Sequence, residues 1–285
     1  MKTQIKLEKN FSCEFFPPKT EQGMEKLFAT AEALKKAINP KFFSVTFGAG
    51  GSTHENTFNA VNKIQHKANS EVAPHLSCIG STTDQLKDIL DDYRQQGIKR
   101  IVALRGDMPS GTVSHGDFNH ANELVSFIRE HHNDYFHIEV AAYPETHPQA
   151  QSASKDLEYF KLKVSSGANS AITQYFYNID SYFYFIDNCE KMGMDIPVVP
   201  GIMPITNYSN LSRFSDMCGA EIPRWLRKKL ESYADDTDSI KSFGTDFVSG
   251  MCEKLLDMGA PGLHFYTLNQ PDASIKIWNN LNLNK

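Results

Sequence analysis

No Cys-x-x-Cys pair occurs in this chain, and its five cysteines (Cys13, Cys78, Cys189, Cys218 and Cys252) are scattered and odd in number. That usage argues against a zinc ribbon or a redox dithiol and fits reduced thiols in a cytosol. Long apolar runs are missing too. Nothing approaches the roughly 18 residues a membrane span needs, and the basic start Met1–Asn10 lacks the apolar stretch of a signal peptide. Positive charge is scarce: 29 Lys and Arg against 34 Asp and Glu leave a net charge of −5. There is therefore no polybasic footprint for nucleic acid or anionic lipid. Gly48-Ala49-Gly50-Gly51-Ser52-Thr53 fails G-x-G-x-x-G at its last position, and no G-x-x-x-x-G-K-[ST] exists, so neither nucleotide fingerprint is present. Its plain reading is a loop leading to a helix N-terminus at Ser52 or Thr53, a place that can bind an anion. H-E-x-x-H is absent, and the His131-His132 pair falls at an expected exposed helix end, so no catalytic metal is expected. Without a G-x-S-x-G elbow or a Ser-His-Asp order, covalent acyl transfer has no support either.

What the chain does have is rhythm. Apolar β-prone runs fall at about 10–16, 42–47, 72–78, 99–104, 137–143, 170–176, 197–202 and 262–267. Several are almost continuously apolar, as parallel strands covered on both faces are. Helical patterns lie between them: 21–38, with Met24, Leu27, Phe28, Ala31, Leu34 and Ile38 on one face, then 83–96, 152–165 and 180–192. Gly97, Gly167 and Gly193 stand just past three of these helices, and Ser81-Thr82-Thr83-Asp84 offers an N-cap. Eight such units define an α/β protein, a (β/α)8 barrel. The interval between strands seven and eight is longer, with helical patterns near 208–217, 222–232 and 240–258, read as extra helices beside the barrel. No Gly/Ser/Pro-rich linker divides the chain, so residues 1–285 are expected to form one catalytic domain.

Barrel enzymes place their chemistry where strands run into loops at the C-terminal face. Glu14 ends an aromatic strand (Phe11, Phe15, Phe16) that stops at Pro17-Pro18. A carboxylate among aromatics should have a raised pKa, which suits a general acid; the plain alternative is a salt-bridged core Glu. Arg105-Gly106-Asp107 follows Ile-Val-Ala-Leu and projects at the mouth, as a site or as a structural ion pair. His75 and His147 each sit near a strand end, where a lone His is more often structural. Tyr143 opens Tyr-Pro-Glu-Thr-His, and Gln174 can hydrogen-bond a heteroaromatic ring, whereas Tyr175, Phe176 and Tyr177 read first as packing.

In order along the chain, Glu-Phe-Phe-Pro-Pro (14–18), Ser-Val-Thr-Phe-Gly-Ala (44–49), Ala-Pro-His-Leu (73–76), Ile-Val-Ala-Leu-Arg-Gly-Asp (101–107), Ala-Ala-Tyr-Pro-Glu-Thr-His-Pro (141–148), Gly-Ala-Asn-Ser-Ala-Ile-Thr-Gln-Tyr-Phe (167–176), Pro-Gly-Ile-Met-Pro (200–204) and His-Phe-Tyr-Thr-Leu-Asn (264–269) closely resemble methylenetetrahydrofolate reductases of the bacterial, barrel-only kind. The resemblance implies a cytoplasmic homo-oligomer that carries FAD at the barrel mouth. It implies reduction of 5,10-methylenetetrahydrofolate to 5-methyltetrahydrofolate by NADH or NADPH in alternating half-reactions, supplying methyl groups for methionine. Glu14 then matches the general acid and Asp107 the carboxylate beside the flavin. Thr46, Ala49, His75, Arg105, Gly106, Tyr143, His147, Asp156 and Lys163 fall on FAD positions. Gln174 matches the amide that holds the pterin, and Phe214 the aromatic that packs on nicotinamide or the benzoyl ring. The pattern departs at His54-Glu55-Asn56-Thr57, at Leu162, and at Gln270, where an arginine for the folate glutamate tail is expected. Competing readings are a barrel flavoenzyme of the proline dehydrogenase type, a flavin-free lyase or aldolase using Glu14 and Lys163, and an inactive barrel scaffold.

Overall fold

The structure is a computed structural model. It describes residues 1–47, 54–107 and 116–283, with only the backbone of His54, Glu55 and Lys67. Its strands are β1 (Asn10–Phe15), β2 (Phe42–Val45), β3 (Glu71–Ser77), β4 (Arg100–Leu104), β5 (His137–Ala142), β6 (Ser170–Thr173), β7 (Val198–Val199), β8 (Gly201–Ile202) and β9 (Gly262–Tyr266). Its helices are α1 (Glu21–Ile38), α2 (His54–Lys67), α3 (Thr83–Gln95), α4 (Ala121–His132), α5 (Ala153–Ser165), α6 (Ile179–Lys191), α7 (Tyr208–Cys218), α8 (Arg224–Glu231), α9 (Thr237–Asp257) and α10 (Asp272–Asn280). Every strand pairing is parallel, in the order β7-β6-β5-β4-β3-β2-β1-β9-β8.

β7 and β8 are the two halves of the expected seventh strand. Pro200 has no N–H to give the ladder, so the strand changes partner there. Val198 pairs with Ala171 on one side, and Gly201 with His264 on the other. The Pro200 carbonyl accepts the His264 amide at 2.9 Å. The chain thereby closes a (β/α)8 barrel. The long interval before β9 holds α7, α8 and α9, the extra helices that the spacing indicates. Thr82 caps α3 in a reciprocal box with Gln85, and Gly97, Gly167 and Gly193 take positive φ past their helices as expected.

Alternation along each strand gives the barrel two cores. Cys13, Phe15, Phe43, Val45, Leu76, Ile101, Ala103, Ile138 and Val140 pack in the main core, with Leu27, Leu34, Ile64, Leu90, Leu124 and Ile128 of the helices. Phe42, Ala73, Val102 and Ile172 form a second, separate core, with Leu104 and Tyr266 against it. Below it, where β3 to β6 begin, lies a polar plug centred on the buried Arg100, Glu139 and Ser170. Arg100 donates from Nε to Glu71 at 2.9 Å and from its terminal nitrogen to Glu139 at 2.6 Å, and Ser170 donates to Glu139 at 2.6 Å. One helix-end expectation fails: His132 is buried, not exposed. It continues the apolar face of α4 one turn after Ile128 and meets Phe136 edge-on at 5.3 Å.

Candidate active site at the barrel mouth

β1 turns Ser12 and Glu14 into the barrel while Cys13 and Phe15 face the helices, Phe15 stacking on Phe43 at 5.2 Å. The aromatics flanking Glu14 in sequence are therefore not its neighbours in space. Its neighbours are His75 from β3, His264 from β9 and Ser44 from β2. His75 Nε2 lies 3.2 Å from Glu14 Oε2, close but outside hydrogen-bond geometry. His264 Nε2 lies at 3.5 Å, and the Ser44 hydroxyl donates at 3.4 Å. All three fall on Oε2, which leaves Oε1 without a partner among the described residues. Behind His264, Ser12 Oγ sits 2.7 Å from Nδ1. The expected raised pKa is corrected. Burial does push the Glu14 carboxyl up, but the His75 and His264 imidazoles beside Oε2 outweigh it, holding Glu14 at about 2.

Above this floor opens a cleft of about 340 Å³ lined by Glu14, His75, Tyr143, Gln174, Tyr175, Phe214, Met217, Cys218 and Tyr266, among others. Gln174 folds its Oε1 onto the Tyr175 amide at 3.0 Å. The Tyr266 hydroxyl donates to the Thr173 carbonyl at 2.8 Å.

A second cleft of about 360 Å³ shares Leu104, Ala141 and Tyr143 with the first, so the two adjoin. It is lined by Arg105, Gly106, Asp107, His120, Tyr143, His147, Gln149, Asp156, Tyr159 and Lys163, among others. Gly106 has φ +82°, and a Cβ there would sit 1.7 Å from Ser77 Oγ, so only glycine fits. Arg105 donates to the Gly106 carbonyl at 3.1 Å and to Gln149. Asp156 accepts the His147 amide at 2.8 Å, and His147 Nδ1 accepts the Gln149 amide at 3.0 Å. Lys163 donates to the Ala141 carbonyl; burial lowers its pKa to about 8, against the pull of Asp156. Burial also pushes the Tyr143 phenol up to about 12 and the His147 imidazole down. His120 and Tyr159 stack with centroids 6.2 Å apart.

The structure thus gathers Glu14, His75, Tyr143, Gln174 and Phe214 around one cleft, and Arg105, Gly106, Asp107, Tyr143, His147, Asp156 and Lys163 around the other. Thr46 lines neither; its amide bonds the Phe15 carbonyl at 2.9 Å and its carbonyl accepts the Thr57 hydroxyl at 3.0 Å. Gln270 is exposed and also lines neither cleft. Ala49 and the loop through Thr53 lie outside the described residues. Ser12, His120, Tyr159 and Gln149 escape a motif-based reading, and His264 and Tyr266 fall in a matching string that gives them no role. Period-two alternation in β1 and β9 was the available signal for Ser12, His264 and Tyr266. Among the described residues no group of three or more His, Cys, Asp or Glu converges in a way that would hold a metal ion, and no helix is long and apolar enough to cross a membrane.

A closed parallel barrel whose mouth joins a carboxylate–imidazole cluster to a cleft lined by Arg105, Asp107, Asp156 and Lys163 is a (β/α)8-barrel enzyme. A profile of the methylenetetrahydrofolate reductase family matches residues 1–282. The 5,10-methylenetetrahydrofolate reductase of Escherichia coli (strain K12) is 40% identical over 272 residues, covering 95% of this chain and 90% of that protein. Its counterpart from Buchnera aphidicola is 41% identical over 279 residues, covering 97% and 94%. Methylenetetrahydrofolate reductase (NADH) 1 of Arabidopsis thaliana is 40% identical over 286 residues, covering 96% of this chain and 48% of that protein. A Clostridium thermocellum protein solved with two copies of 5-methyl-5,6,7,8-tetrahydrofolic acid shares the fold, with a TM-score of 0.68 at 15% identity over 99% of this chain and 97% of that one. The chain belongs to the methylenetetrahydrofolate reductase family and is an oxidoreductase.

Proposed function

We propose that this chain, as one catalytic barrel, reduces 5,10-methylenetetrahydrofolate to 5-methyltetrahydrofolate with NADH or NADPH as donor and FAD at the barrel mouth. The observation that carries the reading is Glu14 at the floor of the first cleft, with Oε2 tied to two imidazoles and Oε1 open. Family membership favours a folate over an imino acid as acceptor.

The second cleft fits a flavin dinucleotide by its donor set. It offers two cations, Arg105 and Lys163, the latter buried against a carbonyl, and a glycine lip at Gly106 that lets a large ligand approach the backbone. Arg105, Gly106, Tyr143, His147, Asp156 and Lys163 would hold FAD there, with Asp107 at the lip. FAD, when bound, accepts a hydride from the nicotinamide and delivers it to the folate. The protein positions the partners and moves a proton. Gln174 has the paired donor and acceptor a pterin edge requires, and Phe214 provides an apolar wall for the flat ring of either substrate. Asp107 places negative charge near a cationic iminium acceptor. Glu14 would hand the proton to the folate from its place in the cleft wall, while His75 and His264 hold its Oε2 from behind. The Thr46 and Ala49 roles, a tail contact at Gln270, homo-oligomeric assembly, cytoplasmic location and a supply of methyl groups for methionine belong to the same proposal.

The test is two-step mixing. The purified protein should be yellow, with a flavin band near about 450 nm. NADH should bleach it without air, and methylenetetrahydrofolate should restore it. A colourless protein, or bleached flavin that folate leaves bleached, would reject the reading.

A further inference from the structure

α7 forms one wall of the first cleft, through Phe214, Met217 and Cys218. Its attachment to the barrel is specific. The Tyr175 hydroxyl, next in sequence to Gln174, lies 3.1 Å from Ser215 Oγ, a buried contact. The Cys218 thiol donates to the same phenol oxygen at 3.4 Å, which leaves the phenol proton free to go to Ser215. Ser215 and Cys218 are three apart and Phe214 precedes Ser215, so this one tie lies beside the residues that face the ligand. Burial holds the Tyr175 phenol above its ordinary pKa, which keeps it neutral. Beyond α7, Gly219 at φ +75° packs on Pro148, where a Cβ would meet Cγ at 2.4 Å, and the Glu221 amide donates to Glu145 at 2.8 Å. The exit of α7 is thereby pinned to the β5–α5 loop, and the Tyr175 contact is what ties the helix to the loop carrying Gln174.

We propose that Tyr175 is a positioning residue: its hydroxyl latches α7 onto the barrel mouth and so sets how far Phe214 stands from Gln174, the gap that a flat substrate ring must fill. This rests on the folate reading above for the identity of the ring, and on geometry alone for the latch. The Tyr175 ring packs against Tyr177 at 5.8 Å and Tyr266 at 6.4 Å, so Tyr175→Phe keeps the packing and deletes only the tie. Ser215→Ala deletes its other half.

Cys218 provides a local probe, because the other four cysteines are buried. In the holoenzyme, Tyr175→Phe should raise amide exchange across 208–218 and the rate of Cys218 alkylation by iodoacetamide, each by roughly 2–10-fold, the effect of one lost hydrogen bond. Ser215→Ala should do the same in smaller measure, because the Cys218 contact to the phenol survives it, and the double variant should be no worse than Tyr175→Phe alone. The KM for methylenetetrahydrofolate should rise by a similar factor, with kcat within about twofold. Unchanged exchange and alkylation in both single variants, additive effects in the double, or a loosened α7 with an unmoved KM would each overturn the proposal. Exchange and alkylation are read without turnover, so a wild-type chain that reduces no folate would sink the functional reading and leave the latch standing.

Discussion

Ser12 Oγ and His264 Nδ1 are 2.7 Å apart inside the barrel although 252 residues separate them in the chain. That contact fixes the ring whose other nitrogen faces Glu14, so it couples the strand carrying the carboxylate to the strand that closes the barrel. Removing it, by Ser12→Ala, or removing the ring, by His264→Asn, weakens what holds Glu14 at about 2. Its pKa should then climb toward the ordinary 4.5. A general acid works in its protonated form, so the pH above which the folate half-reaction declines should move upward. The NADH half-reaction should keep its profile. Stopped-flow pH profiles of both half-reactions check this; an unmoved folate profile in both variants would dismiss the coupling.

Glu14→Gln keeps the side chain's shape and removes the proton. Loss of a general acid costs typically about 10²–10⁴-fold, so folate-dependent reoxidation of the flavin should slow by that much. Bleaching by NADH should stay within a few-fold of wild type. Equal survival of both half-reactions would assign the proton to another group, His75 first.

The barrel was legible because eight apolar runs at regular spacing leave little else for a chain of this length to form. The split at Pro200 was legible in principle, since proline cannot donate to a ladder, but an apolar run through 197–202 reads as one strand. The environment of Glu14 was not legible locally. Phe15 belongs to the opposite face of β1, and the groups that set the carboxyl's charge arrive from β3 and β9. Neighbours in sequence suggested a raised pKa; neighbours in space lower it. His132 was misjudged similarly, because a helix end points outward only if its last turn leaves the apolar face. Gln270 lies just past the last matching string, departs from the pattern there, and is exposed outside both clefts.

The buried Arg100–Glu139 pair at the barrel floor should matter for stability. Arg100→Met leaves a buried carboxylate without its guanidinium, a loss of about 3–5 kcal/mol for such a broken pair. Adding Glu139→Leu should restore much of it, since the fully buried charge is then gone and Glu71, which also loses Arg100, is partly exposed to water. Glu139 is held below its ordinary pKa: burial pushes it up, but the His137 hydrogen bond and the Arg100 charge outweigh this. A depressed carboxyl contributes stability that is present above its unfolded pKa and lost as pH falls through the folded one. In Arg100→Met the carboxyl is less depressed, so the acid-side loss should shrink and the variant should differ most from wild type near neutral pH. Urea denaturation midpoints between pH 7 and pH 3 would measure both effects, and a variant as stable as wild type would remove the plug from the account.

Lys163 should behave in the opposite sense. Its ammonium is buried against the Ala141 carbonyl, and burial lowers its pKa from 10.5 to about 8. Below that pH the folded chain carries a charge that water would solvate better, so the residue opposes folding when no ligand is present. Between about 8 and 10.5 the unfolded chain holds more protons than the folded one, so this group makes the flavin-free protein more stable as pH rises through that window. Lys163→Met should remove the slope and raise the flavin-free melting temperature at neutral pH. On the proposed reading the same change should weaken FAD retention, because the cleft loses one of the two cations that would meet the dinucleotide phosphates, a charge-assisted contact of about 1.5–3 kcal/mol. Flavin content after gel filtration should fall while the protein without flavin melts higher. A drop in both would mean that Lys163 is a structural prop, and a gain in both would mean that it faces no anion.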